Sequence, residues 1–305
     1  MSSYRLRELT EDDADDVARL FVEAWGDARR MDGDEIRQWL ANEALLTQNM
    51  LVVVDADDRV LGYFDMWSEG ESVDVDMAAP GIWDEALDQA ENRARALGAK
   101  RVRTFVSEGH DLGGRISGRG YRPVRSSWTM EIEFGVEAPA EPVIPDGIAV
   151  RPYHHPDDEQ AVYEAVQEAF ADHWDFHPQP IEGWREFTVK WRNFDPDLWL
   201  VALAGEEVVG VSLSYPERSD DPGYGWIATI GVRRPWRRRG LGEALLRRTF
   251  ALLHARGLRR VRLSVDSENP TGATRLYERV GMSVLRQSNT WERDLPGAGP
   301  GEPRT

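Results

Sequence analysis

The sequence predicts an α/β fold, a mixed sheet flanked by helices, and it predicts that fold twice over. Two observations carry this expectation. Short β-branched runs alternate with amphipathic stretches in the order β–α(α)–β–β–β–α–β–α–β, and the whole order recurs about 150 residues later.

In chain order, Leu6-Arg7, the acidic Glu11-Asp12-Asp13 and a helical stretch to Trp25 are echoed by Val150-Arg151, Pro156-Asp157-Asp158 and a helix to Phe170. Residues 50–64 (MLVVVDADDRVLGYF) and 198–212 (LWLVALAGEEVVGVS) each read as two apolar strands around a polar turn, with Gly62 and Gly210 at the same place in the second strand. Residues 96–106 (ALGAKRVRTFV) and 255–265 (ARGLRRVRLSV) each read as helix end, glycine stop and strand. Residues 120–129 and 281–290 close the two copies as final strands. The offset between copies grows from 145 to 148, then to 159 and 161, so the first copy is 11 residues shorter between its hairpin and Ala96. The expected organisation is a first domain over 1–134, a linker rich in Pro, Ala and Glu over 135–147, a second domain over 148–295 and a disordered tail over 296–305.

Composition narrows the function classes. There is no cysteine, which excludes disulfides, thiolate metal sites and a cysteine nucleophile. No apolar run reaches the length of a membrane span and the N-terminus carries no secretory pattern, so a cytoplasmic protein without a membrane partner is expected. The formal charge is −17, with 31 acidic and 16 basic residues before position 147. So acidic a half argues against nucleic acid as a partner, since phosphate binding needs a basic face.

The 11-residue difference falls where the second copy is most distinctive, at residues 226–258 (WIATIGVRRPWRRRGLGEALLRRTFALLHARGL). Ile227–Val232 reads as a strand, Pro235 stops it, and an Arg/Gly loop leads into a helix with Leu241, Ala244, Leu245, Ala251 and Leu252 at helical spacing. A helix N-terminus with unpaired amides, preceded by glycines that admit a ligand to the main chain, is an anion site. Arg237–Arg239 as an exposed basic patch, or the glycines as a plain tight turn, do not explain this order of parts. The loop is neither a dinucleotide fingerprint nor a P-loop, because it lacks the third glycine and a following Gly-Lys-Ser/Thr.

Arg237-x-x-Gly240-x-Gly242 after a strand resembles the acyl-CoA pyrophosphate loop of the GNAT superfamily of N-acetyltransferases. Residues 265–282 (VDSENPTGATRLYERVGM) resemble its next block, a strand, an Asn-Pro turn and a helix bearing a tyrosine. The resemblance covers about 148–294 and, more weakly, the first copy, which lacks the Arg/Gly loop and has Ile116 where the second has Tyr277. It implies two tandem GNAT-like domains, the N-terminal one degenerate, and an acyl-CoA co-substrate, acetyl-CoA first, with no metal.

By position, the resemblance implies that the main chain of Ile230, Gly231 and Val232 pairs with the pantetheine arm. It implies that amides of Arg237, Arg238, Arg239, Gly240, Leu241 and Gly242 cradle the pyrophosphate, and that Asn269 bonds the pantetheine. Arg238 stands where many relatives have glycine. Tyr277 is expected near the sulfur as the acid that protonates the leaving thiolate. The alternative for Tyr277 is a core aromatic at helical spacing with Ala273 and Val280.

For the base, relatives with a glutamate on the preceding strand are not matched, since Trp226 and Thr229 stand there. Asp266 and the cluster Asp172–His177 are the candidates, with His173, Trp174, Asp175, Trp226 and Thr229 expected to contact a small amine acceptor. His173 and His177 would suit a metal at helical i,i+4 spacing, but the aromatic neighbours and Pro178 favour a loop. The implied activity is direct N-acyl transfer in a ternary complex. A non-catalytic acyl-CoA-binding or sensing module and a protein N-acetyltransferase stand as alternatives.

Overall fold

The computed structural model of the chain describes residues 4–42, 49–140, 142–216, 223–269 and 271–295. It confirms the mixed α/β class and shows two compact units, Met1–Ser127 with Gln287–Thr305, and Trp128–Arg286.

The first half of the sequence forms β1 (Arg5–Glu8), α1 (Ala14–Trp25), α2 (Gly33–Ala41), β2 (Met50–Val54), β3 (Val60–Glu69), β4 (Ser72–Ala78), α3 (Trp83–Ala96), β5 (Arg101–Ser107), α4 (Asp111–Gly118) and β6 (Arg122–Glu133). The second half repeats that order as β7 (Ala149–Pro152), α5 (Glu159–Phe170), α6 (Ile181–Glu186), β8 (Trp199–Ala204), β9 (Glu207–Pro216), β10 (Tyr224–Val232), α7 (Leu241–Ala255), β11 (Arg260–Asp266), α8 (Ala273–Arg279) and β12 (Ser283–Asp294).

The echo of Arg7 and Asp13 in Arg151 and Asp158 has a physical cause. Arg7 Nη1 donates to Asp13 Oδ2 at 2.7 Å, and the Thr10 amide donates to the same oxygen at 2.9 Å. In the second unit Arg151 Nη2 donates to Asp158 Oδ1, and the His154 amide to Asp158 Oδ2, both at 2.8 Å. The carboxylate thus caps the entry to the first helix and ties it to the first strand. The Arg7 bond, opposed by partial burial, holds the Asp13 carboxyl at about 2. The helix that follows places Val17, Phe21, Ala24 and Trp25 in the core of the first unit, and Val162, Ala165, Val166 and Ala169 in the second.

Strand order in the first unit is β1-β2-β3-β4-β5-β12 and in the second β7-β8-β9-β10-β11-β6. Each unit therefore takes its sixth strand from the other half of the sequence, and the division differs from the one expected. The final strand pairs antiparallel with β5 over Ser288–Asp294 and Arg101–Ser107, which puts it in the first unit. The end of β6 belongs to the second: the Phe134 amide donates to the Arg259 carbonyl at 2.7 Å, and Arg262 Nε donates to Glu131 Oε2 at 2.6 Å. Self-similarity marks equivalent segments but carries no information on which copy a strand joins. Among the described residues of 135–147 there is no helix or strand. The tail from Pro296 lies outside the described residues. Among the described residues no helix is long and apolar enough to cross a membrane.

The borrowed strand is fixed by charge as well as by backbone pairing. Arg103 Nε donates to Glu292 Oε2 at 2.9 Å with both side chains buried, and Arg293 Nη1 donates to buried Glu91 at 2.7 Å. Removing one partner of a buried pair leaves a charge without compensation, at a cost of about 3–5 kcal/mol. Glu292→Ala is accordingly expected to lower the unfolding free energy, read from denaturant titration, by that much, and Glu292→Gln by less. An unfolding free energy within about 0.5 kcal/mol of wild type would show that backbone pairing alone holds the strand.

Candidate functional site

The second unit carries a cleft of about 980 Å³ formed where two parallel strands part. β10 pairs with β11 from Tyr224–Arg260 to Ile227–Leu263 and no further, whereas its pairing with β9 runs on to Val232–Gly210. The register on β9 shifts between Ile227 and Thr229, a bulge at Ala228 that turns the strand as it leaves its neighbour. Beyond Ile227 the strand therefore has an edge with no strand beside it, lined by Ile230, Gly231 and Val232 and facing Ser264–Asp266. An edge of amides and carbonyls is a template for an extended ligand.

The far end of the cleft is the N-terminus of α7. Gly240, at the helix cap, has φ +84°, and Gly242 lies in the first turn, where a Cβ would come within 3.2 Å of Leu276. Both line the cleft, as does Arg238. Arg238 has φ +59°, a left-handed backbone that glycine adopts without strain, which explains why glycine suits this position in the loop. Among the described residues its guanidinium has no acidic partner, unlike Arg234 and Arg237, which bind Asp172, and Arg279, which binds Glu243. Arg239 and Leu241 are placed differently. The Arg239 guanidinium lies 5.0 Å from the Trp236 ring centre, and the Leu241 side chain is buried in the core, so only their main chains remain for a ligand.

Arg237 works as a clamp. Nε donates to the Val232 carbonyl at 3.0 Å, Nη2 to the Ala169 carbonyl at 3.0 Å and Nη1 to Asp172 at 2.9 Å. The three bonds hold the end of β10 against the end of α5. They are possible because residue 231 is glycine: a Cβ there would meet Ala169 Cβ at 2.8 Å. Arg234 also donates to Asp172, at 3.0 Å through Nε, and together the arginines hold that carboxyl below its ordinary range. Sequence reasoning offered Asp172 as a candidate base and missed this clamp, which links residues some 65 positions apart without a local pattern.

Tyr277, Asp266, Asn269 and His173 line the same cleft. Tyr277 is buried, and burial pushes its phenol up to about 12. Among the described residues its hydroxyl has no hydrogen-bond partner. Asn269 Oδ1 accepts from the Thr271 amide at 2.9 Å, and its Nδ2 lies 3.5 Å from His173 Nε2. Burial holds the His173 imidazole below its ordinary value, against the pull of Asp266. Trp174, Asp175, Trp226 and Thr229 are not among the residues lining the cleft. Trp226 packs on the core around Trp199, Trp174 is exposed, and Asp175 is 3.5 Å from His177 Nε2 in a segment without regular helix. Among the described residues no group of three or more His, Asp or Glu is placed to hold a metal.

In the first unit the equivalent parting of strands is filled. β4 and β5 pair in parallel only as far as Val75–Thr104. The Trp25 indole donates to the Met77 carbonyl at 2.9 Å, and the Trp25 and His110 rings lie 4.5 Å apart. His110 Nδ1 accepts from the Leu112 amide, so Nε2 carries the proton and donates to the Ala24 carbonyl at 2.8 Å. By the repeat offsets Trp25 and His110 stand where the second unit has Phe170 and Asn269.

Comparison with known proteins agrees with this geometry. Residues 160–282 match the acetyltransferase (GNAT) family. A GCN5-related N-acetyltransferase from Sphaerobacter thermophilus is 32% identical, with a TM-score of 0.74 over 98% of this chain and 97% of that one. The chain belongs to the GNAT family, in its tandem form. A tandem GNAT protein from the clavulanic acid biosynthesis pathway shares the fold at 15% identity, with a TM-score of 0.74 over 98% of this chain and all of that one. The mycothiol acetyltransferase of Paenarthrobacter aurescens is 29% identical over 213 residues, 66% of this chain. The chain spans 62–65% of the length of such relatives.

Arg238 gives the site a test with two opposed readouts. Arg238→Gly relieves a left-handed side chain and removes an unpaired cation. The variant is expected to keep or raise its melting temperature while binding acetyl-CoA about tenfold more weakly at low salt, the deficit shrinking as salt is added. Unchanged affinity would remove Arg238 from the site.

Proposed function

We propose that the chain is an acyl-CoA-dependent N-acyltransferase, using acetyl-CoA and acting on a small amine by direct transfer. The observation that carries this reading is the bare edge of β10 beyond Ile227, in a cleft that the N-terminus of α7 and Tyr277 also line. Pantetheine is an extended amide chain that can add to the edge at Ile230–Val232, while the amides from Arg237 to Gly242 and the Arg238 guanidinium meet the pyrophosphate. Asn269 is in reach of the pantetheine arm. The relatives named for mycothiol acetylation support a small-molecule acceptor for this chain as well.

The chemistry asked of the site is attack of an amine on a thioester carbonyl. A main-chain amide on the open edge polarises the carbonyl oxygen, and the carbon–sulfur bond breaks as the new carbon–nitrogen bond forms. Tyr277 remains a neutral phenol at pH 7 because its proton is held up to about 12. It can share that proton with the departing thiolate as charge develops on sulfur. In the first unit, Ile116 replaces the phenol and Trp25 takes the strand carbonyl, which supports a single site per chain.

The test is thiol release from acetyl-CoA across a panel of small amines. Tyr277→Phe is expected to bind acetyl-CoA as wild type does and to lose about 10²–10⁴-fold in turnover. Unchanged turnover would return Tyr277 to core packing. Binding of acetyl-CoA with no thiol released to any amine or N-terminal peptide would favour a non-catalytic acyl-CoA-binding module.

A further inference from the structure

We propose that His173 is the general base of this site, taking a proton from the acceptor ammonium at Nε2, with Asp266 as its counter-charge. The inference rests on the acyl-transfer reading above and adds to it the group that the strand before the loop does not supply.

An alkyl ammonium, with a pKa of about 10, must lose a proton before its nitrogen can attack. Among the described residues, the titratable groups lining the cleft, besides its arginines, are Asp172, His173, Glu243, Asp266 and Tyr277. Asp172 is held by Arg234 and Arg237, and Glu243 by Arg247 and Arg279; both carboxyls lie below their ordinary range and are poor proton acceptors. Tyr277 is needed in its protonated form. His173 and Asp266 remain.

Geometry separates these two. Asp266 Oδ1 is engaged by the Glu268 amide at 2.9 Å in the turn after β11. His173 is fixed by its own amide on the Phe170 carbonyl at 2.9 Å and by its ring, 4.4 Å from that of Phe170. The tautomer of the ring can be assigned. Asn269 Oδ1 is occupied by the Thr271 amide, so the atom facing His173 Nε2 is the Asn269 amino group, a donor. Nε2 therefore carries the lone pair and Nδ1 the proton, and at 3.5 Å the Asn269 contact is long enough for an ammonium donor to replace it.

The groups acting on the ring are Asp266 and Asp172, which favour its protonation, and Arg237, which opposes it together with burial. The net effect is a neutral imidazole at pH 7, ready to accept, with Asp266 at hand once it is charged.

The ammonium gives one proton to His173 Nε2, which passes it to solvent. The neutral nitrogen bonds to the carbonyl carbon, the carbon–sulfur bond breaks, and the thiolate takes the Tyr277 proton. The second proton on the nitrogen restores the phenol. One amide, one thiol and one proton in solution result.

The experiment is the pH profile of kcat for wild type, His173→Gln, His173→Asn and Asp266→Asn, with acetyl-CoA Kd measured for each. Wild type is expected to rise through a pKa below about 6.5 and then level off. Both His173 variants should bind acetyl-CoA within about twofold of wild type. They should turn over about 10²–10⁴-fold more slowly at pH 7, and the deficit should shrink as pH rises towards the pKa of the amine. Asp266→Asn should move the wild-type limb to lower pH, because the imidazole loses its counter-charge. A loss in the His173 variants that is equal at every pH, or smaller than threefold, overturns the assignment. Failure of wild type itself to acylate any amine overturns the acyl-transfer reading, and the assignment with it.

Discussion

The site depends on one constraint: a parallel strand pair that stops pairing halfway along. Past Ile227 and Leu263, β10 keeps its bonds to β9 on one side and has an edge on the other. Backbone groups on such an edge are satisfied by water or by an added chain, and either choice has consequences for what the unit can do. The cleft, which Tyr277 and the cap of α7 also line, follows from where that pairing ends. Gly231 and Arg237 keep the edge in place from behind, the one by omitting a Cβ and the other by three side-chain bonds.

The two units solve the same problem in opposite ways. Each parts its parallel strands at the equivalent point, Val75–Thr104 in one and Ile227–Leu263 in the other. In the first unit a tryptophan at the end of α1 donates to the Met77 carbonyl of the strand, and a histidine ring packs tilted beside it. In the second unit the same position is Phe170, which has no donor to offer and packs tilted against His173. The turn after the fifth strand is shared: the amide of His110 bonds to the Ser107 carbonyl as the amide of Asn269 bonds to that of Asp266. An inherited backbone with altered side chains accounts for both states, one closed by its own aromatics and one open.

Much of this was legible in the sequence, because it rested on local patterns. The element order, the Arg/Gly loop leading into a helix and the helix bearing Tyr277 all came from spacing over a few residues. What stayed hidden was long-range. The exchange of last strands depends on pairings such as Ser288 with Ser107, between segments 181 residues apart. The clamp of Arg237 on Ala169 and Asp172 depends on a helix packing against a strand, and the role of Gly231 is visible only once that helix is in place. Of the residues expected to contact an acceptor, Trp226 packs on a core and Trp174 is exposed, and neither lines the cleft. A chain with 12 tryptophans spends most of them on packing. The position of His173 opposite Asn269 is likewise long-range and has no local pattern in the sequence.

We propose that one parting of strands is open to acyl-CoA and the other is closed by Trp25 and His110. Calorimetric titration of acetyl-CoA into wild type and Gly240→Asp decides between one site and two. One site per chain in wild type, abolished by the carboxylate placed at the α7 cap, is expected. Two equivalent sites, or one site that survives Gly240→Asp, would show that the open edge of the second unit does not set binding.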